Sequence, residues 1–357
     1  MGKRTPLFEI HKAMNAKLVE FAGFEMPLNY AGITPEHLAV RNSVGIFDVS
    51  HMGEFEVRGS KALEQMQWVT TNDVSALGIY QVQYSMLCNE KGGIVDDILV
   101  YRLPDNYLIV VNASNIEKDF GWIKNHPVNG AQVENRSDNY ALISVQGPRS
   151  REILLSLTPA DFSTVPYYHV MELELAGIPI LLSRTGYTGE VGYELFVSPE
   201  KAARIWEAVM DAGQKFSIQP AGLGARDSLR LEKCYRLYGN DIDDSTSPLE
   251  GGLGHWVKLG KGPFIGREAI QRVKEQGISR KLVGFVMEDR AIARHGYSIL
   301  KNGKIIGTVT SGIFSPVLKK GIGLGYVTPN FSEIGTTLEI DIRGKNAQST
   351  IIKTPFI

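Results

Sequence analysis

Two adjacent aspartates inside an apolar run are the first residues of this sequence whose placement suggests chemistry. Ile94-Val95-Asp96-Asp97-Ile98-Leu99-Val100-Tyr101 reads as a strand, a setting in which aspartate is disfavoured. Strand side chains alternate, so the two carboxyls face opposite sides and cannot share one proton. If one is held inside, burial favours its neutral form unless a partner compensates. The pair fits two readings: a turn cap beside an arginine's partner, or an acid positioned in a cleft. Asp97 falls on the side of Val95, Leu99 and Tyr101.

Two further segments carry polar groups at close spacing. Ser183-Arg184-Thr185-Gly186-Tyr187-Thr188-Gly189-Glu190-Val191-Gly192-Tyr193-Glu194 sets three glycines among polar and aromatic residues. Such a loop permits close backbone approach to a flat ligand, and equally well makes a glycine-rich hairpin. Pro220-Ala221-Gly222-Leu223-Gly224-Ala225-Arg226-Asp227 has the outline of a dinucleotide loop, but Asp227 stands where the third glycine belongs, so a nucleotide site is rejected. Metal chemistry has little support. The seven histidines are scattered, and Asp241-Ile242-Asp243-Asp244 opens like a calcium loop but has Thr246 and Gly252 where Gly and Glu are required. Capping or solvation is the expected role of those aspartates.

The elements around these residues follow from pattern. Tyr80, Val82, Tyr84 and Met86 alternate with polar residues as a strand. Asn89-Glu90-Lys91-Gly92-Gly93 turns the chain, and Ile94 to Leu103 must return antiparallel. A turn at Pro104-Asp105-Asn106 leads into Tyr107 to Val111. Helix starts are expected at Thr34-Pro35-Glu36, Ser198-Pro199-Glu200 and Ser114-Asn115-Ile116-Glu117, with Ala202, Trp206, Val209 and Met210 as one buried stripe. Residues 52–140 thus read as an antiparallel sheet with helices on one face. From Lys281 onward short strands and tight turns such as Lys301-Asn302-Gly303-Lys304 predict an all-β barrel or sandwich, and the glycine-rich segment from Gly251 reads as a linker.

Composition narrows the function classes. With 357 residues the chain is expected to hold two or three domains. Lys and Arg total 38 against 39 Asp and Glu, which gives no electrostatic reason to expect nucleic acid or a membrane surface. Cys88 and Cys234 are the only cysteines, so neither a disulfide scaffold nor a cysteine-rich zinc site is available. No apolar run approaches the length of a membrane span, and Met1-Gly2-Lys3-Arg4-Thr5-Pro6 does not read as a secretory signal. The expected location is the cytoplasm, or the mitochondrial matrix if a transit peptide has been removed.

Taken in order, the motifs resemble the aminomethyltransferase (T-protein) family of the glycine cleavage system. The matching stretches are Arg4-Thr5-Pro6-Leu7, Phe21 to Pro27, Val44 to Glu54, Gly92 to Asp97, Gln146-Gly147-Pro148, Arg184 to Glu194, Gly222 to Arg230 and Thr310-Ser311-Gly312. The resemblance implies an α+β fold of three domains in a cloverleaf around a central folate cavity: a split first domain (1–51 and 141–250), an inserted antiparallel domain (52–140), a linker (251–280) and a C-terminal β-barrel (281–357). It implies transfer of a methylene group from the aminomethyl-dihydrolipoyl arm of H-protein to tetrahydrofolate, releasing ammonia and giving 5,10-methylenetetrahydrofolate. Lipoylated H-protein is the implied partner and tetrahydrofolate the implied cofactor.

The same resemblance assigns roles residue by residue. Asp97 is the implied catalytic acid, as general base or as electrostatic positioner. Glu194 is the implied pterin reader, since a planar carboxylate accepts two parallel hydrogen bonds. Arg226 is expected near the cofactor, Tyr84, Tyr101 and Tyr187 as ring contacts, and Met52 as ligand contact or core methionine. Arg294 is expected at the cavity mouth, restraining Asp97 or meeting the lipoyl partner. The sequence closes on Lys353-Thr354-Pro355-Phe356-Ile357, where members of the family often continue with a short Tyr/Arg-containing tail, so the contacts of that tail are expected to be missing or replaced. Alternatives on the same scaffold are a folate-dependent demethylase and a non-catalytic folate-binding protein; Lys233-Cys234-Tyr235 lacks the Gly and Gln-Glu of the iron–sulfur repair relatives.

Overall fold

The computed structural model of the chain describes residues 2–357. The chain forms two compact units, one of Met1–Met66, Val74–Tyr84 and Ile98–Asp227, the other of Gln67–Asp73, Ser85–Asp97 and Ser228–Ile357. No helix among the described residues is long and apolar enough to cross a membrane.

Along the chain, α1 (Phe8–Ala13) leads into a ribbon of β1 (Lys17–Phe21) and β2 (Phe24–Asn29), then α2 (Ile33–Asn42), β3 (Gly45–Asp48), β4 (Gly53–Arg58) and α3 (Ala62–Val69). There follow β5 (Val82–Cys88), β6 (Ile94–Arg102), β7 (Tyr107–Val111), α4 (Ile116–Lys124), β8 (Gln132–Asn135) and β9 (Ala141–Gln146). Next come α5 (Ser150–Leu155), β10 (Val170–Leu175), β11 (Ile178–Ser183), β12 (Gly192–Val197), α6 (Ala202–Gly213), β13 (Gln219–Pro220) and α7 (Leu223–Glu232). Then α8 (Arg267–Gln276) precedes β14 (Lys281–Met287), β15 (Ser298–Lys301), β16 (Lys304–Ser315), β17 (Lys320–Val327), β18 (Thr337–Ile342) and β19 (Lys345–Ile352).

In the sheet β10-β11-β12-β9-β3-β13, period-two alternation sorts the chemistry by face. Ile143, Val145, Leu195 and Val197 turn one way and pack with Trp206 and Val209 of α6, the expected stripe, and with Ile153 and Leu154 of α5. Ser144, Gln146, Ser183, Glu194 and Phe196 turn the other way and are also buried. One face is therefore core, and the other is a buried polar surface.

In the sheet β5-β6-β7-β4-β8, Phe55 packs against Phe120 of α4 with ring centroids 5.4 Å apart, while Glu54 and Glu56 take the opposite face. Register aligns Glu54 with Val110 and Leu99, and Glu56 with Leu108 and Tyr101. The last six strands close as the barrel β14-β17-β16-β15-β18-β19, with Phe285, Val309, Leu338, Ile340 and Ile351 inside.

The turns at 89–93 and 104–106 and the hairpin at Asn302-Gly303 stand where expected. Other local expectations are corrected. Tyr80 precedes β5 because its φ of 67° breaks the extended run. Helix α2 starts at Ile33 with Gly32 as its cap and no side-chain cap; Glu36 instead reaches back to accept the Tyr30, Gly32 and Gly222 amides at 2.6, 3.0 and 2.9 Å. Helix α8 lies inside the segment read as linker, burying only Ala269 and Ile270 among charged neighbours. Asp241 is not solvated: 1% exposed, it pairs with Arg230 at 2.6 Å and accepts from Thr310 at 2.5 Å. Asp243 does cap its turn, accepting from Ser245 and Thr246.

Candidate functional site

Glu194 lies on the polar face of β12, opposite Ser183 of β11 and Ser144 of β9. The Thr185 hydroxyl donates to its carboxylate, and Ser183 and Thr185 share a 2.8 Å hydrogen bond. Burial pushes the Glu194 carboxyl above the usual carboxylate range, opposed by the Thr185 hydrogen bond and the Arg226 charge. Behind it sits Gln146, whose Nε2 donates to Ser144 Oγ at 3.0 Å and to the Thr185 carbonyl at 3.2 Å, while Oε1 accepts from Thr188 at 2.9 Å. A β-carbon on Gly186 or Gly192 would come within 2.1 Å of that Oε1. Two of the loop's three glycines thus make room for a protein amide.

Arg226, on α7, lays its guanidinium over the Tyr187 ring, 4.7 Å from the centroid, a cation–π contact that fixes both groups. The Tyr101 ring meets Phe196 edge-on at 5.5 Å. Its hydroxyl is buried near Ser183 and Thr185 without a formed hydrogen bond to either, and burial, with Glu194 and Glu54 nearby, disfavours its phenolate. The first unit therefore brings together four of the residues marked in the sequence: Glu194, Arg226, Tyr187 and Tyr101. Met52 and Tyr84 belong to the same unit and are half-buried.

Two residues of this region escaped the sequence reading. His51 is 2% exposed, its ring edge-on to Phe21 at 5.6 Å and near Phe24 at 6.4 Å, and its Nδ1 has no hydrogen-bond partner. Burial, reinforced by the Arg226 charge and opposed by Asp48, lowers its pKa to about 4. The turn that carries it is locked from below. Asp48 accepts from Thr5 at 2.6 Å, from the His11 ring at 2.8 Å and from the Ser50 amide at 2.9 Å, while Tyr30 meets the other His11 nitrogen at 2.8 Å. Burial raises the Asp48 carboxyl, but those partners together hold it below its ordinary value. Glu54, 1% exposed, is the second. The signal for it was the alternation of acids in Glu54-Phe55-Glu56 within an otherwise buried strand.

Asp96 and Asp97 lie in the second unit's share of the chain. Asp96 is fully buried and Asp97 partly exposed. The start of their strand is tightly held: the Asn89 carboxamide accepts the Lys91 and Gly93 amides and donates to the Asp244 carbonyl at 3.0 Å. A β-carbon on Gly93 would fall 1.8 Å from that carbonyl oxygen. The Tyr238 hydroxyl donates to the Ile94 carbonyl at 3.2 Å. Arg294 is exposed, reaches the Gly312 carbonyl at 3.5 Å and, among the described residues, forms no ion pair with Asp97.

The cluster thus combines a buried planar carboxylate, a guanidinium stacked on an aromatic ring and two unpartnered buried polar atoms. Comparison with known proteins gives the class. Residues 7–261 match the GCVT N-terminal domain and residues 280–357 the glycine cleavage T-protein C-terminal barrel domain. An aminomethyltransferase of Halothermothrix orenii is 52% identical over 99% of this chain and 100% of its own length. One from Bacteroides thetaiotaomicron is 51% identical over 99% of each chain. The crystal structure of the glycine cleavage system aminomethyltransferase T from Bartonella henselae superposes with a TM-score of 0.94 at 33% identity, covering 100% of this chain and 98% of that one. The chain belongs to the glycine cleavage T-protein family. It is an aminomethyltransferase with an α+β fold and a closed C-terminal barrel, as the sequence motifs implied.

Proposed function

We propose that the Glu194, Arg226 and Tyr187 cluster holds tetrahydrofolate, and that the aminomethyl group reaches the enzyme on the lipoyl arm of an H-protein. The observation that carries this reading is Glu194: a buried carboxylate, oriented by Thr185, whose two oxygens suit the paired donors of a pterin's amino and amide edge. The unpartnered Tyr101 hydroxyl and His51 Nδ1 are the kind of buried polar atoms that a ligand satisfies. Tetrahydrofolate, when bound, supplies the nucleophilic nitrogens that accept the one-carbon unit.

The chain's own part is orientation and proton management. Glu194 reads the ring edge, and Arg226, held flat on Tyr187, supplies a fixed positive charge. Asp97 serves either as the general base that takes the proton shed by the attacking nitrogen, or as a fixed negative charge that positions and stabilises the cationic reacting group. Its assignment rests on the family motif and on strand alternation, which sets it apart from fully buried Asp96. The test is calorimetric titration with tetrahydrofolate, followed by a transfer assay with lipoylated H-protein. Binding in the micromolar range or tighter and strict dependence on the lipoylated donor are expected. Turnover of free methylamine-type or sulfonium donors would move the protein to the demethylase reading.

A further inference from the structure

Beyond these residues, β4 presents an acid that nothing in the described structure employs. Glu54 and Glu56 share one face of the strand, yet their surroundings differ. Glu56 accepts from the Tyr140 hydroxyl at 3.1 Å and pairs with Arg58 at 2.8 Å. Glu54, more deeply buried, has no side-chain hydrogen bond and no ion pair among the described residues. Carboxylates are almost never buried without a partner, because an unpaired charge in the interior carries a large desolvation penalty. Glu54 is also placed beside the site already described. On its face of the sheet it shares a row with Val110 and Leu99, and the next row holds Leu108 and Tyr101. Tyr101 in turn lies within electrostatic reach of both Glu54 and Glu194.

We propose that Glu54 is a further ligand-contacting residue of this site, donating a hydrogen bond to an acceptor atom of the bound pterin ring while Glu194 accepts from its donor edge. The inference rests on the tetrahydrofolate reading above and deepens it. The chemistry is complementary: a reduced pterin carries amino and amide donors on one edge and a carbonyl oxygen and ring nitrogens as acceptors. Arg226 and the Tyr101 hydroxyl offer donors to those acceptors from other elements, and an un-ionised Glu54 adds one from β4. Burial raises the Glu54 carboxyl well above the usual carboxylate range, which favours the un-ionised acid and its O–H donor over the carboxylate.

The experiment compares wild type, Glu54→Gln and Glu54→Leu by calorimetric titration with tetrahydrofolate, together with the unfolding temperature of each ligand-free protein. Glu54→Leu should weaken binding about tenfold or more, the loss of one buried hydrogen bond, with an unfolding temperature at or above wild type. Glu54→Gln keeps an N–H donor and should stay within about threefold. Wild-type affinity in a folded Leu variant, or equal losses in both variants, would overturn the proposal. Should the Leu variant not fold, an infrared difference spectrum of wild type against Glu54→Gln decides. A protonated-carboxyl carbonyl band that shifts on adding tetrahydrofolate is expected, and a band that stays put, or none, overturns the assignment. Failure of wild type itself to bind tetrahydrofolate would defeat the parent reading instead.

Discussion

The side-chain amide oxygen of Gln146 occupies the space where a β-carbon on Gly192 would stand, 2.1 Å away. Gly186 faces the same oxygen at the same distance. The loop that carries Tyr187 and leads to Glu194 is therefore folded around a glutamine, and its glycines are dictated by that side chain.

Gly192→Ala should destabilise the protein by about 1–3 kcal/mol through overpacking. Thermal unfolding checks this, and the double variant with Gln146→Ala tests the cause: part of the loss should be recovered, since the two positions share one space. Additive losses would show that Gln146 is not what excludes the methyl group.

Glu194→Gln should lower tetrahydrofolate affinity by about tenfold or more, because an amide replaces one of two acceptors with a donor. Calorimetry measures it. The fold should survive, since the variant removes a buried carboxyl whose ionisation burial already opposes.

Asp97→Asn should reduce transfer with lipoylated H-protein by about a hundredfold or more, the ordinary contribution of a positioned acid or base, while tetrahydrofolate binding stays close to wild type. Single-turnover kinetics separates the two quantities. Near-normal turnover would remove Asp97 from the reaction.

His51 gives a pH dependence with a definite sign. Its folded pKa of about 4 lies below the ordinary value of 6.5, so between those values the unfolded chain binds the extra proton. Stability linked to His51 is present above pH 6.5 and is lost as pH falls toward 4. Between pH 7 and pH 5 the loss should be about 2 kcal/mol. Denaturant unfolding of wild type and His51→Phe at both pH values isolates this contribution, and the variant should show a correspondingly smaller drop.

Asp241→Ala should be the most damaging change in the second unit. It removes one partner of Arg230, whose side chain is only 2% exposed, and breaking a buried ion pair by removing one member costs about 3–5 kcal/mol. Denaturant midpoints measure it, and a paired apolar replacement of both residues should recover much of the loss.

What the sequence made legible were features with local causes. The turn at Asn89–Gly93, the Asn302-Gly303 hairpin and the stripe through Trp206 depend on neighbours in sequence, and the structure keeps them. Glu194, Arg226, Tyr187 and Tyr101 were readable through the family motifs, and they do assemble in one unit. Glu54 and His51 were not, because their significance lies in what surrounds them, which only register and packing establish. The same holds for Asp241: the acids of 241–244 look alike in sequence, but one is sequestered by Arg230 and Thr310 while another caps a turn. Helix α8 was missed because its buried side is only two residues wide among charges.

The ring of strands β14 to β19 has a practical corollary. Each of its members is flanked on both sides, so this module exposes no bare backbone ladder onto which another polypeptide could add. When concentrated protein self-associates through strand addition, it must begin at the edge strands of the three open sheets, β1 and β2, β10 and β13, or β5 and β8, and a proline or lysine placed on such an edge is the simplest way to improve its handling.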